Sequence, residues 1–127
     1  MEVESKTRNA GGLTTAVIDA EAGIPATGML IDLFRVARDV GERLHMRTVE
    51  TDAQGAIGEP LLAGAALEPA TYELLFHVGR YFKARRVPRD ENPFLDVVPV
   101  RFSIADAEHS YHVTLLAGPW SYTVYRG

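Results

Sequence analysis

A chain of 127 residues with 46% hydrophobic and 24% charged residues is typical of one globular domain that is long enough to bury its own core. Its formal net charge of −4 argues against nucleic-acid binding, because neutralising phosphates requires a basic surface. The lack of cysteine excludes a disulfide framework and a thiolate nucleophile. The sequence shows no signal-peptide pattern and no apolar run of roughly 20 residues, so we expect a cytoplasmic protein without a membrane span.

Short strands dominate the predicted secondary structure. The polar residues 1–11 are predicted to form a flexible tail, and residues 12–127 one domain. Alternating side chains predict strands near 13–19, 29–36, 43–50, 71–78, 96–104, 110–117 and 120–126, with one short edge strand within the loop-rich segment 52–69. Residues 79–86 predict a short helix, followed by a loop at 88–93. This order predicts an all-β fold, a two-sheet antiparallel sandwich with one short helix.

The last seventeen residues carry the most specific pattern in the chain. Residues 111–116 and 121–125 alternate polar and apolar side chains on either side of a Gly-Pro turn, which predicts a hairpin with a basic tail. This stretch resembles the C-terminus of the transthyretin-like 5-hydroxyisourate hydrolases, in which Tyr-His-Val-Pro-Leu-Leu precedes a closing Tyr-Arg-Gly-Ser. The matching residues are His112, Tyr125, Arg126 and Gly127. Thr114 replaces the proline, and the final serine is absent.

Four further stretches extend the resemblance. Residues 13–19 resemble the family's opening strand, and 23–26 its first turn. Residues 51–56 match its Thr-Asp-x-x-Gly-Arg turn, and 81–82 with 99–102 match the stretch before the last hairpin. The chain is therefore identified as a member of this family. The resemblance implies a transthyretin-like sandwich that pairs through edge strands into dimers, and a homotetramer in which two dimers enclose a central channel for a small molecule.

Two catalytic positions of the family differ in this chain. Ala16 stands where hydroxyisourate hydrolases carry a histidine, and Ala56 where they carry an arginine. Together with the histidine that matches His112 and the closing tail, those two residues form the family's catalytic set. Alanine neither transfers a proton nor binds an anion. The departure therefore argues against ordinary hydroxyisourate hydrolysis.

His112 is the candidate acid/base, because a histidine exchanges protons near neutral pH. The structural alternative is a half-buried histidine whose ring donates a hydrogen bond to a backbone carbonyl. If the terminal strand keeps its family position, Tyr125 and Arg126 line the same channel. There Arg126 would bind a carboxylate or polarised carbonyl, and Tyr125 would donate a hydrogen bond. The alternative for both is a frayed basic terminus, and the carboxylate expected at Gly127 would pair with Arg126.

The remaining predicted site residues would shape the channel. They are assigned to substrate binding: Ala16, Ala56, Thr14, Thr114 and Gly127. The two alanines leave space for a ligand larger or more apolar than hydroxyisourate. Among weaker candidates, we expect His45 and Arg47 on a solvated strand face, His77 capped by backbone and His109 in a surface loop. No metal or cofactor is predicted, because no standard ligand spacing or phosphate loop occurs.

Four functions are compatible with these features. The first is a divergent enzyme that hydrolyses, opens or cyclises a small cyclic metabolite, with His112, Tyr125 and Arg126 as catalytic residues. The second is a 5-hydroxyisourate hydrolase that tolerates the two losses. The third is a non-catalytic small-molecule-binding tetramer, and the fourth a structural or regulatory tetramer with a degenerate channel. We favour the first, because a scaffold has little physical reason to keep polar groups aimed at a channel.

Overall fold

The computed structural model describes residues 11–37, 41–85 and 93–127. The strands in these ranges are β1 (Gly12–Asp19), β2 (Ile24–Pro25), β3 (Leu30–Val36), β4 (Arg43–Glu50), β5 (Leu62–Ala63), β6 (Ala70–Phe76), β7 (Val98–Ile104), β8 (Tyr111–Ala117) and β9 (Tyr122–Arg126). The α-helix in these ranges is α1 (Val78–Ala84), and a 3-10 turn spans Gly64–Ala66. The predicted tail lies outside the described residues except for the buried Gly11, and so does most of the predicted loop at 88–93.

The strands form a two-layer sandwich, which confirms the predicted fold class. One sheet has the order β2–β1–β8–β9, with β5 also paired to β1, and the other has the order β4–β3–β6–β7. All of these pairs are antiparallel except β1 with β8, which run parallel. The prediction was an antiparallel sandwich, and this one pair is an exception. The chain between β1 and β8 passes through the second sheet, which is long enough for a parallel connection.

Strand alternation builds the core and leaves an outer face. Leu13 and Val17 of β1, with Leu115 of β8, are almost completely buried between the sheets. Each such side chain contributes roughly 1.5–3 kcal/mol relative to full exposure. Their neighbours Thr14 and Ala16 point the other way and are only half-buried. The first sheet therefore presents a partly open outer face built from β1, β8 and β9.

The helix α1 is attached to the end of β1 through a buried carboxylate. Asp19 is 1% exposed and accepts a 2.8 Å hydrogen bond from the Tyr81 hydroxyl. The Arg85 guanidinium lies 3.3 Å from the same carboxylate. Burial and the hydrogen bond to Asp19 raise the pKa of Tyr81 to about 12. No helix in the described ranges is long and apolar enough to cross a membrane.

Candidate functional site

The outer face of the first sheet brings together all of the predicted site residues except Arg126. Thr14 pairs with His112, and Ala16 with Thr114, across the parallel strands β1 and β8. Thr114 also pairs with Tyr125 on β9. Ala56 forms an isolated antiparallel bridge with Ala16. We call this group the outer patch. It consists of Thr14, Ala16, Ala56, His112, Thr114, Tyr125 and Gly127.

Ala56 reaches Ala16 because a tight turn is folded onto β1. The carbonyl of Gly55 accepts a 2.8 Å hydrogen bond from Val17 N–H. Gly55 has φ +74°, and a Cβ on this residue would lie 2.4 Å from the Val17 carbonyl oxygen, so only glycine fits. Asp52 Oδ1 accepts from Ala56 N–H at 3.1 Å. The turn therefore places residue 56 beside residue 16, and the side chain at both positions is a methyl group.

The side chain of His112 is held by a hydroxyl group and not by a backbone carbonyl. Its Nδ1 lies 2.7 Å from Thr14 Oγ1, and the ring is half-buried. The main-chain carbonyl of His112 accepts a 2.8 Å hydrogen bond from Gly127 N–H. Nε2 makes no hydrogen bond with any residue in the described ranges. One ring nitrogen is therefore available to a ligand on the outer patch.

The terminal residues are docked on β8. Thr114 Oγ1 donates a 3.2 Å hydrogen bond to the Gly127 oxygen, while Gly127 N–H donates to His112. Tyr125 is 48% exposed beside Thr114. The segment is thus not the frayed terminus considered from the sequence. It supplies the outer patch with a half-exposed phenol on the same face of the sheet as His112.

Arg126 does not lie on the outer patch with His112 and Tyr125, the residues expected to line one channel with it. Its register partner is Val113, which points into the sandwich. The guanidinium carbon lies 4.4 Å from the centre of the Tyr111 ring, a cation–π contact. Successive strand residues point to opposite faces, so Tyr125 and Arg126 cannot share one. Arg126 lines a cavity of about 150 Å³ between β7 and β9, and Tyr125 contributes to the same lining.

Two other histidines form a separate cluster with Asp32. His77 Nε2 lies 2.8 Å from one carboxylate oxygen of Asp32, so the predicted backbone cap of His77 is wrong. His45 Nε2 lies 3.2 Å from the other oxygen, which also accepts from the Thr48 hydroxyl. Burial alone would raise the pKa of Asp32, but hydrogen bonds from Thr48, His77 and His45 and the charge of His77 hold this pKa below its ordinary value.

The remaining weak candidates lie away from the outer patch. Arg47 donates to the carbonyls of Pro60 and Leu61, at 2.9 and 3.0 Å. His109 is exposed and lies 2.9 Å from Asp106, which confirms its surface position. Within the described ranges, no group of three or more His, Asp or Glu side chains is arranged to hold a metal ion.

The fold and the terminal motif place the chain in a known family. Residues 13–127 match the HIUase/Transthyretin family, so the chain belongs to it. Among curated relatives, "5-hydroxyisourate hydrolase 2" of Rhizobium meliloti (strain 1021) is 47% identical over 117 residues, covering 92% of this chain and 96% of that protein. The chain is thus related to enzymes named as hydroxyisourate hydrolases.

Solved structures show the same fold. The structure of an (S)-allantoin synthase matches with a TM-score of 0.86 and 35% identity, covering all of this chain and 48% of the synthase chain. Sea bream transthyretin in complex with thyroxine matches with a TM-score of 0.81 and 26% identity, covering 91% of this chain and 94% of that chain. The family therefore includes both named enzymes and a protein solved with an aromatic ligand.

Proposed function

We propose that this protein is a divergent enzyme of the family that acts on a small cyclic metabolite by hydrolysis, ring-opening or cyclisation, with His112 as its acid/base. The observation that carries the proposal is the position of His112. Its Nε2 has no hydrogen-bond partner in the described ranges, and its β1 partner Thr14 lies two residues before Ala16, which bridges Ala56. A proton-transfer group thus remains where two polar residues of the family's catalytic set are replaced by methyl groups.

His112 can act first as the base and then as the acid in a ring-opening hydrolysis. Nε2 of His112 removes a proton from water as the water oxygen attacks the ring carbonyl. The C–N or C–O bond of the ring then breaks, and the imidazolium returns the proton to the leaving nitrogen or oxygen. Tyr125, half-exposed beside Thr114, supplies a hydrogen-bond donor to the developing oxyanion. Each step uses only groups of the outer patch, one water molecule and the substrate.

The shape of the outer patch favours a substrate other than 5-hydroxyisourate. Histidine and arginine at positions 16 and 56 would fill this space and supply charge, whereas the two alanines do neither. Beyond Ala16 on the same face of β1, Ile18 is 38% exposed. Its partner Leu116 on β8 is half-buried. A larger or more apolar ring would therefore be accommodated next to His112.

Two other functions have support of their own. The 47% identical relative named 5-hydroxyisourate hydrolase 2 favours the same hydrolysis in this protein despite the two losses. The similarity to transthyretin solved with thyroxine favours a carrier without catalysis. We prefer a divergent enzyme because a carrier does not need a hydrogen-bonded histidine with one nitrogen left free.

We also propose that the protein assembles as a homotetramer whose central channel is lined by the outer patch. β9 is an edge strand, and its aromatic side chains Tyr122 and Tyr125 are 44% and 48% exposed. Exposed aromatic residues of this kind are enriched at protein interfaces. Sedimentation equilibrium at micromolar concentration should give four chains, and a monomer would contradict the assembly.

A substrate panel tests the proposed reaction. The purified protein is mixed with cyclic amides, imides and lactones, and with 5-hydroxyisourate formed in place from urate, and ring opening is followed by absorbance and NMR. We expect turnover of a panel compound faster than that of 5-hydroxyisourate, and its loss in His112→Asn. Fastest turnover of 5-hydroxyisourate would support the hydrolase instead. Binding of panel compounds without turnover would support the carrier.

A further inference from the structure

We propose that Thr14 is a positioning residue for His112, whose hydroxyl holds the imidazole in one orientation and one tautomer with Nε2 left for the ligand. The two residues are direct partners across the parallel β1–β8 pair. Thr14 Oγ1 lies 2.7 Å from His112 Nδ1, a distance typical of a well-formed hydrogen bond. This inference rests on the proposed function only in taking His112 as the reacting group.

The backbone on both sides of this contact is fixed. On the core face, the neighbouring Thr15 donates a 2.8 Å hydrogen bond to the carbonyl of Val113. On the other side, Gly127 N–H donates to the carbonyl of His112 at 2.8 Å. The Thr14 hydroxyl therefore approaches Nδ1 from a strand that cannot shift easily. Turning the ring over would move Nδ1 away from this hydroxyl and break the hydrogen bond, so the present ring orientation is favoured.

The hydroxyl can serve the ring in every protonation state. When Nδ1 carries the proton, Thr14 Oγ1 accepts the hydrogen bond and the lone pair on Nε2 acts as a base. After Nε2 takes up a proton, the Nδ1–H to Oγ1 bond is retained, so the ring does not have to turn. The opposite arrangement, in which Thr14 donates to Nδ1 and Nε2 carries the proton, would leave no lone pair on Nε2, so the role of Nε2 as a base requires the Nδ1–H tautomer. In each case Thr14 is hydrogen-bonded to Nδ1 and the ligand contacts Nε2.

Nitrogen-15 NMR of the imidazole rings reports this arrangement without needing a substrate. The shifts of the two ring nitrogens give the tautomer at a pH where the ring is neutral, and His112→Asn identifies the signals by their loss. We expect one dominant tautomer for His112 in the wild-type protein and in Thr14→Ser, which keeps the hydroxyl. Thr14→Val, which keeps the shape, should give signals averaged over both tautomers.

Thr15→Val is the matched control, because it also removes a hydroxyl that links β1 to β8, but on the core face. It should lower stability and leave the His112 signals unchanged. A mixture of tautomers in the wild-type protein would overturn the positioning role, and so would an unchanged pattern in Thr14→Val. If Thr14→Val does not fold, the wild-type spectrum alone still tests the positioning role, because it shows whether His112 has one tautomer or a mixture. A single tautomer together with no turnover of any compound would refute the proposed catalysis but not the role of Thr14.

Discussion

Replacing Tyr81 with phenylalanine tests how α1 is held against β1, the strand that carries Thr14 and Ala16. The Tyr81 hydroxyl donates at 2.8 Å to Asp19, whose carboxylate is 1% exposed. The change removes only this oxygen and keeps the ring, which is 4% exposed. Asp19 keeps its hydrogen bonds from Glu21 N–H and Ala22 N–H and its ion pair with Arg85. The buried carboxylate of Asp19 thus loses one hydrogen bond and keeps its other partners.

The hydrogen bond gives the size of the loss, and the pKa of Tyr81 gives its dependence on pH. A hydrogen bond to a charged group contributes about 1.5–3 kcal/mol to stability. The pKa of Tyr81 is raised from 10.0 to about 12, which corresponds to about 2–3 kcal/mol in favour of the neutral hydroxyl in the folded state. Because this folded pKa is the higher one, the stabilisation is complete below pH 10 and is lost as the pH rises towards 12. We expect Tyr81→Phe to lower the free energy of unfolding by about 2 kcal/mol near neutral pH.

Urea unfolding at fixed protein concentration, repeated from pH 8 to pH 12, measures this loss. The difference between wild-type protein and Tyr81→Phe should narrow above pH 10, because only the wild-type protein has this phenol to ionise. Tyr72→Phe is the control, since the buried Tyr72 hydroxyl donates to the Glu68 backbone carbonyl at 2.8 Å and not to a carboxylate. It should cost about 1 kcal/mol. Equal losses in both variants, or a constant difference across this pH range, would refute the reasoning.

Three further substitutions, of which Gly23→Ala is a control, probe the supports of the fold. Gly55→Ala should destabilise the protein by about 2 kcal/mol or more and displace the turn that carries Ala56, since its Cβ would lie 2.4 Å from the Val17 carbonyl. Gly23→Ala, at φ +72° with open space around it, should cost only about 1 kcal/mol, and equal costs in thermal unfolding would contradict this. Asp32→Asn should lower stability by about 1 kcal/mol at neutral pH. Because the pKa of Asp32 is lowered in the folded state, that difference should vanish as acid protonates the wild-type carboxylate, and a difference that persists in acid would contradict it.

The sequence predicts the strands and the outer patch well, because both depend on local alternation. The period of two in β1 and β8 places Thr14, Ala16, His112 and Thr114 on one face, and the structure agrees. The same rule, applied to β9, separates Arg126 from Tyr125. The alternation therefore predicts from the sequence that Arg126 and Tyr125 point to opposite faces of β9.

Long-range contacts could not be predicted in this way. The parallel pairing of β1 with β8 leaves no local mark, because alternation shows which way a side chain points and not which strand lies beside it. His77 contacts Asp32 across 45 positions of sequence, and Tyr81 contacts Asp19 across 62. The strand positions alone therefore predict a backbone partner for the His77 side chain and do not predict any partner for Asp19.

Ring opening of 5-hydroxyisourate tests most directly whether the outer patch has lost activity on that substrate, as we propose. Wild-type protein is compared with Ala16→His/Ala56→Arg, which restores the two polar positions, and with the same double variant carrying His112→Ala. We expect slow turnover by the wild-type protein and a gain on the order of a hundredfold or more in the double variant, abolished when His112 is removed. Wild-type turnover as fast as that of a family member with both polar residues, or no gain in the double variant, would contradict the proposal.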